Sequence, residues 1–528
     1  MTPEAKRPHA SDRERAGYPG SQRASHQEGG AAESGQREHE FKFSPGPLFQ
    51  LPDLSTVDGL HPDAPDMIRL QATYFDTDDF RLSRAGASLR YRNAEGWTVK
   101  LPVARDAEAL TRHELHLDGE PGEPPQAAVD LVLALIRRAP LAPVARLNTV
   151  RNRVVLRDED GATIGEVVDD EVSLLDGIRL AARFRELEVE LEDSASPTLV
   201  AALVARLRAA GAGHPDPVPK IVRALGPRAA EPPDLVPPRP LDIASTPAEV
   251  VQAAIATAAL RLIGNDPGVR LGTDPEAVHQ ARVATRRLRS DLRTFGSVLD
   301  EAWSEPIRAQ LQWLGALLGA VRDTEVLLDR LEARLAELPP SDTDDGKQLL
   351  DTLSERREQY RVELLREMRS ERYFALLDTL VDAARAPKFA EHLDEDDDER
   401  DLSDFVRRPW RNLRDAVQAL GPAPDDHELH RVRIHAKRCR YAAEAVAPAL
   451  GKDARRFARA MESVQDVLGE HQDAVVTGQW LRTHATGPTA FVAGELVAIE
   501  RDAARVAARE QWPEVWARAR RKQLRQWM

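Results

Sequence analysis

The chain has 528 residues, 42% of them hydrophobic, a single cysteine, and a formal net charge of −14 with a pI near 5.6. That length exceeds one core and divides into domains, while the acidic balance argues against a general nucleic-acid binder. Cys439 alone excludes an internal disulfide, and no Cys/His run has zinc spacing, as befits a reducing cytoplasm.

Residues 1–36 are rich in Ser, Gly, Arg and Glu without an apolar segment, so they read as a disordered tail, not a signal peptide. No uninterrupted apolar run approaches the roughly 18 residues that span a bilayer, and no membrane partner is expected.

In Glu38-His39-Glu40-Phe41-Lys42, read as a strand, Glu38, Glu40 and Lys42 share one face while His39, Phe41 and Phe43 take the other. The same alternation recurs in Leu89-Arg90-Tyr91-Arg92, Trp97-Thr98-Val99-Lys100-Leu101, Val150-Arg151-Asn152-Arg153-Val154 and Glu186-Leu187-Glu188-Val189-Glu190-Leu191. A shorter candidate, Ile164 to Val168, carries Glu166, with Asp169 and Asp170 at its end. His113 and His116, around Glu114, are too few to hold a metal. Any one segment suits an antiparallel sheet with a solvated side. Repetition of almost wholly charged faces points elsewhere. If the sheet closes, these charges gather round an axis and need an occupant: Arg and Lys take phosphate oxygens, and the glutamates hold Mg²⁺ or Mn²⁺.

Glu38, Glu40 and Lys42 match the E-x-E-x-K signature of the CYTH superfamily, the triphosphate tunnel metalloenzymes. Tyr74-Phe75-Asp76-Thr77, Leu82, Gly86 and Leu89-Arg90-Tyr91-Arg92 look like its second block, and Thr98-Val99-Lys100 like its third. The resemblance runs to about Arg223 and implies an eight-stranded antiparallel tunnel that binds a triphosphate end to end with a divalent metal. Carried over, it implies that Lys42, Arg90, Arg92, Lys100 and Arg153 clamp phosphate, beside Arg151, which stands where many members have lysine. Glu38, Glu40, Glu188 and Glu190 become metal ligands or orient the attacking water, with Lys42 completing the catalytic group. Asp170 is favoured as the family's late aspartate, and Lys220 resembles the basic residue of its tunnel-closing helix.

Residues 226–245 include Pro227, Pro232, Pro233, Pro237, Pro238 and Pro240, a stiff connector between a tunnel domain (37–225) and a helical domain (246–528). The helical half repeats itself, at about 247–390 and 402–528. Glu276 to Val283 is echoed by His427 to Ile434 (430 − 279 = 151), and Leu318-Gly319-Ala320-Val321-Arg322-Asp323 by Leu468-Gly469-Glu470-His471-Gln472-Asp473. The acidic run Asp394 to Glu399 between them reads as a solvated loop.

Residues three and four apart share a helix face, so His279, Arg282, Arg286, Arg289 and Arg293 form one stripe and His430, Arg433, Lys437 and Arg440 its counterpart; Arg455 and Arg459 extend it. A uniformly basic face in both copies suggests a polyanion. These blocks resemble the CHAD domain, which implies binding of inorganic polyphosphate.

The expectation is an α+β two-domain protein: a β tunnel that hydrolyses tripolyphosphate, and an all-α pair of helical bundles that holds long-chain polyphosphate, in the cytoplasm at polyphosphate granules. The alternatives are a class IV-type adenylate cyclase, a thiamine or nucleoside triphosphatase, and a non-catalytic polyphosphate-binding granule protein.

Overall fold

In a computed structural model of the protein, the described residues are 36–528 apart from 47, 94, 106–109, 193–194, 217 and 392–400. The tail up to residue 35 and the acidic run after residue 393 therefore lie outside the described residues.

Alternating charged and apolar residues produce strands β1 (Gln36–Phe43), β2 (His61–Pro62), β3 (Asp66–Asp76), β4 (Ser88–Arg92) and β5 (Gly96–Arg105). They continue with β6 (Leu110–Leu117), β7 (Ala142–Arg157), β8 (Thr163–Asp176) and β9 (Arg179–Leu191). The order is β2-β7-β3-β4-β5-β6-β1-β9-β8, every pairing is antiparallel, and β7 also pairs with β8, which closes the sheet. Eight strands form the ring, as the resemblance implies. The ninth, β2, is a two-residue addition on β7 that sequence periodicity does not reveal.

The ring is apolar outside and charged inside. Leu89, Val99 and Leu115 of its outer wall pack with Ala128, Leu131 and Val132 of α2 (Gln126–Ile136), after a single turn, α1 (Arg81–Arg84). Phe43, Leu187 and Val189 pack with Leu203 and Leu207 of α3 (Pro197–Ala209). Ile221 and Val222 of α4 (Lys220–Leu225) join Tyr74, Leu147 and Val172. With both faces' demands met, each strand's register is fixed, since a slip of one residue would turn every charge into the helices.

Asp76 anchors the turn after β3. Its buried carboxylate accepts from Thr77 N (2.7 Å), Leu82 N (2.9 Å), Ser83 N (2.9 Å) and Ser83 Oγ (2.8 Å).

The proline-rich connector is docked, not free. Arg84 Nε donates to Pro232 O at 2.9 Å, Asp234 pairs with Arg137, and Leu235 is buried in the largest apolar cluster.

Beyond it come α5 (Pro247–Leu271), α6 (Pro275–Thr294), α7 (Glu301–Leu335), α8 (Pro340–Glu367) and α9 (Glu371–Arg385). The second series is α10 (Asp404–Gln418), α11 (Asp426–Leu450), α12 (Lys452–His484), α13 (Thr489–Val506) and α14 (Trp512–Ala519). The repeat holds in the helix starts: 426 − 275 = 151 for α6 and α11, and 452 − 301 = 151 for α7 and α12. Capping boxes open α5 at Thr246 and α11 at Asp425. By length and composition α5 could cross a membrane (hydropathy 1.2), yet half of its apolar window is buried inside the protein.

One apolar cluster runs from the outer wall of β4–β6 through α2 into α5, α6 and α11. Arg137 Nε meets Asp378 at 2.7 Å and Arg138 meets Glu371 and Asp378 at 2.7 and 2.8 Å, so ion pairs border this junction.

Asp76→Ala strips one acceptor from four donors, three of them backbone amides, and is expected to destabilise the tunnel half by about 2–4 kcal/mol in urea denaturation, with Asp76→Asn losing less.

Candidate functional site

Cross-strand register sets the tunnel's charges against one another. Lys42 faces Glu188 across β1 and β9, Glu40 faces Glu190, Lys100 faces Glu114 across β5 and β6, and Arg151 faces Asp170 across β7 and β8. The lumen, about 170 Å³, is lined by the cations Lys42, Arg90, Arg92, Lys100, Arg112, Arg151 and Lys220. Interleaved with them are Glu40, Glu95, Glu114, Glu166, Glu188 and Glu190. Tyr74, Pro219 and Ile221 are the few lining residues with much apolar surface.

Lys42 is the node. Its ammonium, 2% exposed, meets Glu40 at 2.5 Å, makes a short contact with Glu188 and lies 3.9 Å from Glu186. Burial alone would drive this lysine neutral, but Glu186, Glu188 and Glu40 hold it firmly protonated. Burial likewise opposes ionisation of Glu40, and Lys42 and Arg112 overcome it, bringing the carboxyl down to about 2. Glu188 is held well below the usual carboxylate range, against burial, by Lys220, Lys42 and Arg151. Glu186 goes the other way. Burial raises its carboxyl to about 7 against the pull of Lys42, and neither of its oxygens finds a hydrogen-bond donor.

Among the described residues one oxygen each of Glu40, Glu188 and Glu190 lies within 4.8 Å of the other two, a donor set that fits a hard divalent cation. The backbone of Glu38 pairs opposite Arg112, but its side chain lies outside the described residues. Asp170, expected at the metal, is elsewhere: fully buried, it takes Arg151 at 3.0 and 2.8 Å and Lys220 at 2.5 Å. Its three hydrogen bonds all go to two cations, which makes it an anchor for them. Arg153, expected in the clamp, is 37% exposed and sits by Asp66 (3.4 Å) and Glu166 (4.0 Å), outside the lumen lining. Arg151 points inward in its stead. The other sequence-predicted tunnel residues, Lys42, Arg90, Arg92, Lys100 and Lys220, converge there.

Sequence reasoning missed Arg112, Glu114, Glu95 and Tyr74. Arg112, Glu114 and His116 alternate along β6, which was the available signal, but the pair of histidines drew attention to metal spacing instead. His113 and His116 are an odd number of residues apart and so face opposite sides of the strand. The inward charges pair with one another around the ring, so an entering anion would compete with the carboxylates for these cations.

In the helical half, α6 packs against α11, and the stripes divide. Arg282, Arg286, Arg433 and Lys437 converge. Lys437 is mostly buried, and burial, then Arg286, Arg433 and Arg282, lower its ammonium to about 7. Arg282 pairs with Asp323 at 2.7 Å, and a Cβ at Gly319 would stand 3.7 Å from its Nε. In the second copy a Cβ at Gly469 would stand 3.8 Å from Arg433 Nε, and Arg433 is the foremost cation acting on Asp473. The repeated L-G-x-x-x-D block is thus a cradle for the stripe's arginine.

Arg289 and Arg293 form a second basic group, near Arg308 and, for Arg293, Arg438. His279 is partly buried, its imidazole lowered by burial despite Glu276, while His430 Nδ1 bonds Gln472 at 2.7 Å. Arg440 leaves the stripe: it pairs with Glu444 and Glu462, each at 2.6 Å. Arg455 and Arg459 lie exposed at the start of α12.

The CYTH domain family matches residues 36–219 and the CHAD domain family residues 253–482. Two Mycobacterium tuberculosis relatives, Uncharacterized protein MT2285 and Uncharacterized protein Rv2226, are each 32% identical over 472 residues, covering 83% of this chain and 87% of theirs. Among solved structures, PptA from Streptomyces chartreusis matches with a TM-score of 0.44 and 24% identity, over 52% of this chain and 100% of its own. The CHAD domain from the plant Ricinus communis matches with a TM-score of 0.43 and 24% identity, over 55% of this chain and 96% of its own.

Glu188→Gln is expected to weaken Mn²⁺ binding, read by calorimetry, by about tenfold or more, whereas Asp66→Asn at the rim leaves it unchanged.

Proposed function

The chain belongs to the CYTH family through residues 36–219 and to the CHAD family through residues 253–482, and on that premise we propose that it is a metal-dependent inorganic triphosphatase joined to a polyphosphate-binding helical half. One observation carries the reading: a small lumen, about 170 Å³, walled mainly by alternating cations and carboxylates, with little apolar surface for a base or a thiazole ring. Small-molecule sites that accept such rings usually have about 300–1,000 Å³ and mostly apolar walls. Tripolyphosphate needs neither.

In this reading Arg90, Arg92, Lys100, Arg151 and Lys220 grip the phosphate oxygens, the arginines with their planar forks and the lysines as point charges. Asp170 and Glu114 hold those cations in place. Lys42 yields one of its carboxylates and turns to the substrate. Glu40, Glu188 and Glu190 hold the cation, which when bound neutralises charge developing on the transferred phosphoryl group. Glu40 also aims the attacking water. The water's oxygen forms the new bond to phosphorus as the anhydride bond in line with it breaks, giving pyrophosphate and orthophosphate, and the proton the water gives up passes to the phosphate products or to solvent.

For the helical half, the supporting observation is Lys437, a half-buried lysine beside four guanidiniums, whose ammonium is lowered first by burial and then by those like charges. A flexible polyanion laid over Arg282, Arg286, Arg433 and Lys437 relieves it.

Phosphate release is expected from tripolyphosphate with Mg²⁺ or Mn²⁺, and not from ATP, thiamine triphosphate or long-chain polyphosphate; preferential pyrophosphate release from ATP would replace this reading with a cyclase. Glu40→Gln should lower turnover about a hundredfold or more while leaving long-chain affinity nearly intact. Exchanging Arg282, Arg286, Arg433 and Lys437 together for Glu should abolish long-chain binding and its steep salt dependence yet spare hydrolysis.

Affinity for long chains should also depend on pH. The charged groups facing Lys437 are Arg282 and Arg286 from α6 and Arg433 and Arg438 from its own helix, and all oppose its proton. A bound polyanion favours the charged amine, so binding takes up a proton above pH 7 and weakens as pH rises from there. Titrations at pH 6.5 and 8.5 should differ more for the wild type than for Lys437→Arg.

A further inference from the structure

Glu95 is the one carboxylate of the lumen lining, among the described residues, that no barrel strand carries. It sits in the tight turn between β4 and β5, where its backbone N donates to Arg92 O at 3.1 Å. Both of its carboxylate oxygens lie 2.6 Å from Arg92 Nη1, and Arg90 Nη2 stands 3.5 Å away. Arg92 is nearly buried, at 7%, whereas Glu95 is 33% exposed. The carboxylate therefore touches solvent on one side and the clamp on the other.

Glu114, which takes Lys100 at 2.5 Å and Arg90 at 3.3 Å, differs in kind. It is a buried strand residue with paired neighbours on both sides and cannot leave without opening the sheet. Glu95 needs only a change of side-chain rotamer to reach water. A carboxylate and a phosphoryl group also ask the same thing of a guanidinium, two parallel N–H donors.

We propose that Glu95 is a built-in competitor of the substrate: in the empty tunnel its carboxylate occupies Arg92 and Arg90 in place of phosphoryl oxygens, and it swings to solvent when a phosphate chain arrives. This inference rests on the reading of the tunnel as a phosphate site. Its physical consequence is a lowered apparent affinity, because only the fraction of molecules with Glu95 displaced can bind, and easier return of product to solvent as the carboxylate reclaims the arginines.

The test is Glu95→Gln, which keeps the side chain's shape and removes its charge. KM for tripolyphosphate is expected to fall about tenfold, with kcat moving less than KM, and inhibition by added orthophosphate should tighten in parallel. A KM that rises or stays the same would overturn the proposal, since Glu95 would then be orienting Arg92 for the substrate. Calorimetry with metal-free tripolyphosphate separates this outcome from failure of the functional reading. If the wild type binds but hydrolyses nothing, the triphosphatase assignment falls, and the inference is still judged by whether Glu95→Gln binds more tightly. If neither protein binds tripolyphosphate, both fall.

Discussion

Lys42 lies between Glu40 and Glu188 inside a closed sheet, and much of the tunnel follows from that contact. A buried ammonium costs several kcal/mol unless anions surround it, and a buried carboxylate has the matching need. Opposed across β1 and β9, the two demands meet. The same solution recurs round the ring, with Arg112 on Glu40, Lys100 and Arg90 on Glu114, and Arg151 and Lys220 on Asp170. An anion that enters must take cations away from carboxylates, and the carboxylates then require positive charge from elsewhere. A divalent cation held by Glu40, Glu188 and Glu190 would supply part of it, and the strand register sets where it would sit.

The alternation that makes this lumen was legible in the sequence because β geometry has a strict period of two. Given which residues are apolar, Lys42, Arg90, Lys100 and Glu188 had to share the opposite face. Closure was not contained in that period; it came from the resemblance and is visible in the pairing of β7 with β8. What periodicity could not give is how the inward charges pair among themselves. Asp170 and Glu190 look alike as inward carboxylates, yet one faces Arg151 and the other Glu40, a difference set by register between distant strands. Arg153 illustrates the converse limit. It shares a face with Arg151 two residues away, but that step carries it to the rim. The docked connector escaped for a similar reason, since composition predicts stiffness and says nothing of what Leu235 and Asp234 touch.

In the helical half the repeat was legible and its purpose only partly so. Spacing of three and four residues predicted the stripes on α6 and α11; both helices form, and the stripes divide into separate groups. The acids that qualify them come from other parts of the chain: Asp323 on α7 takes Arg282, and Glu462 on α12 joins Glu444 in taking Arg440. Neutralisation across helices is invisible to a pattern read along one helix. What survives it is the cluster round Lys437, where burial first, and then cations from both repeats, lower the lysine's ammonium.

The two halves thus handle positive charge by opposite means. The tunnel balances each cation with a carboxylate held by the sheet and keeps its lumen small, so an anion must displace an internal partner and the geometry can discriminate. Where α6 and α11 meet, cations from both repeats crowd round Lys437, and acids from α7 and α12 offset only part of that charge. Because α2 and α5 join both halves through one apolar cluster, with Arg137 and Arg138 clasping Asp378 at its edge, the tunnel and the crossing of α6 and α11 are packed onto one another. Any ligand the helices held would therefore stay at a set distance from the tunnel, without any motion of the connector.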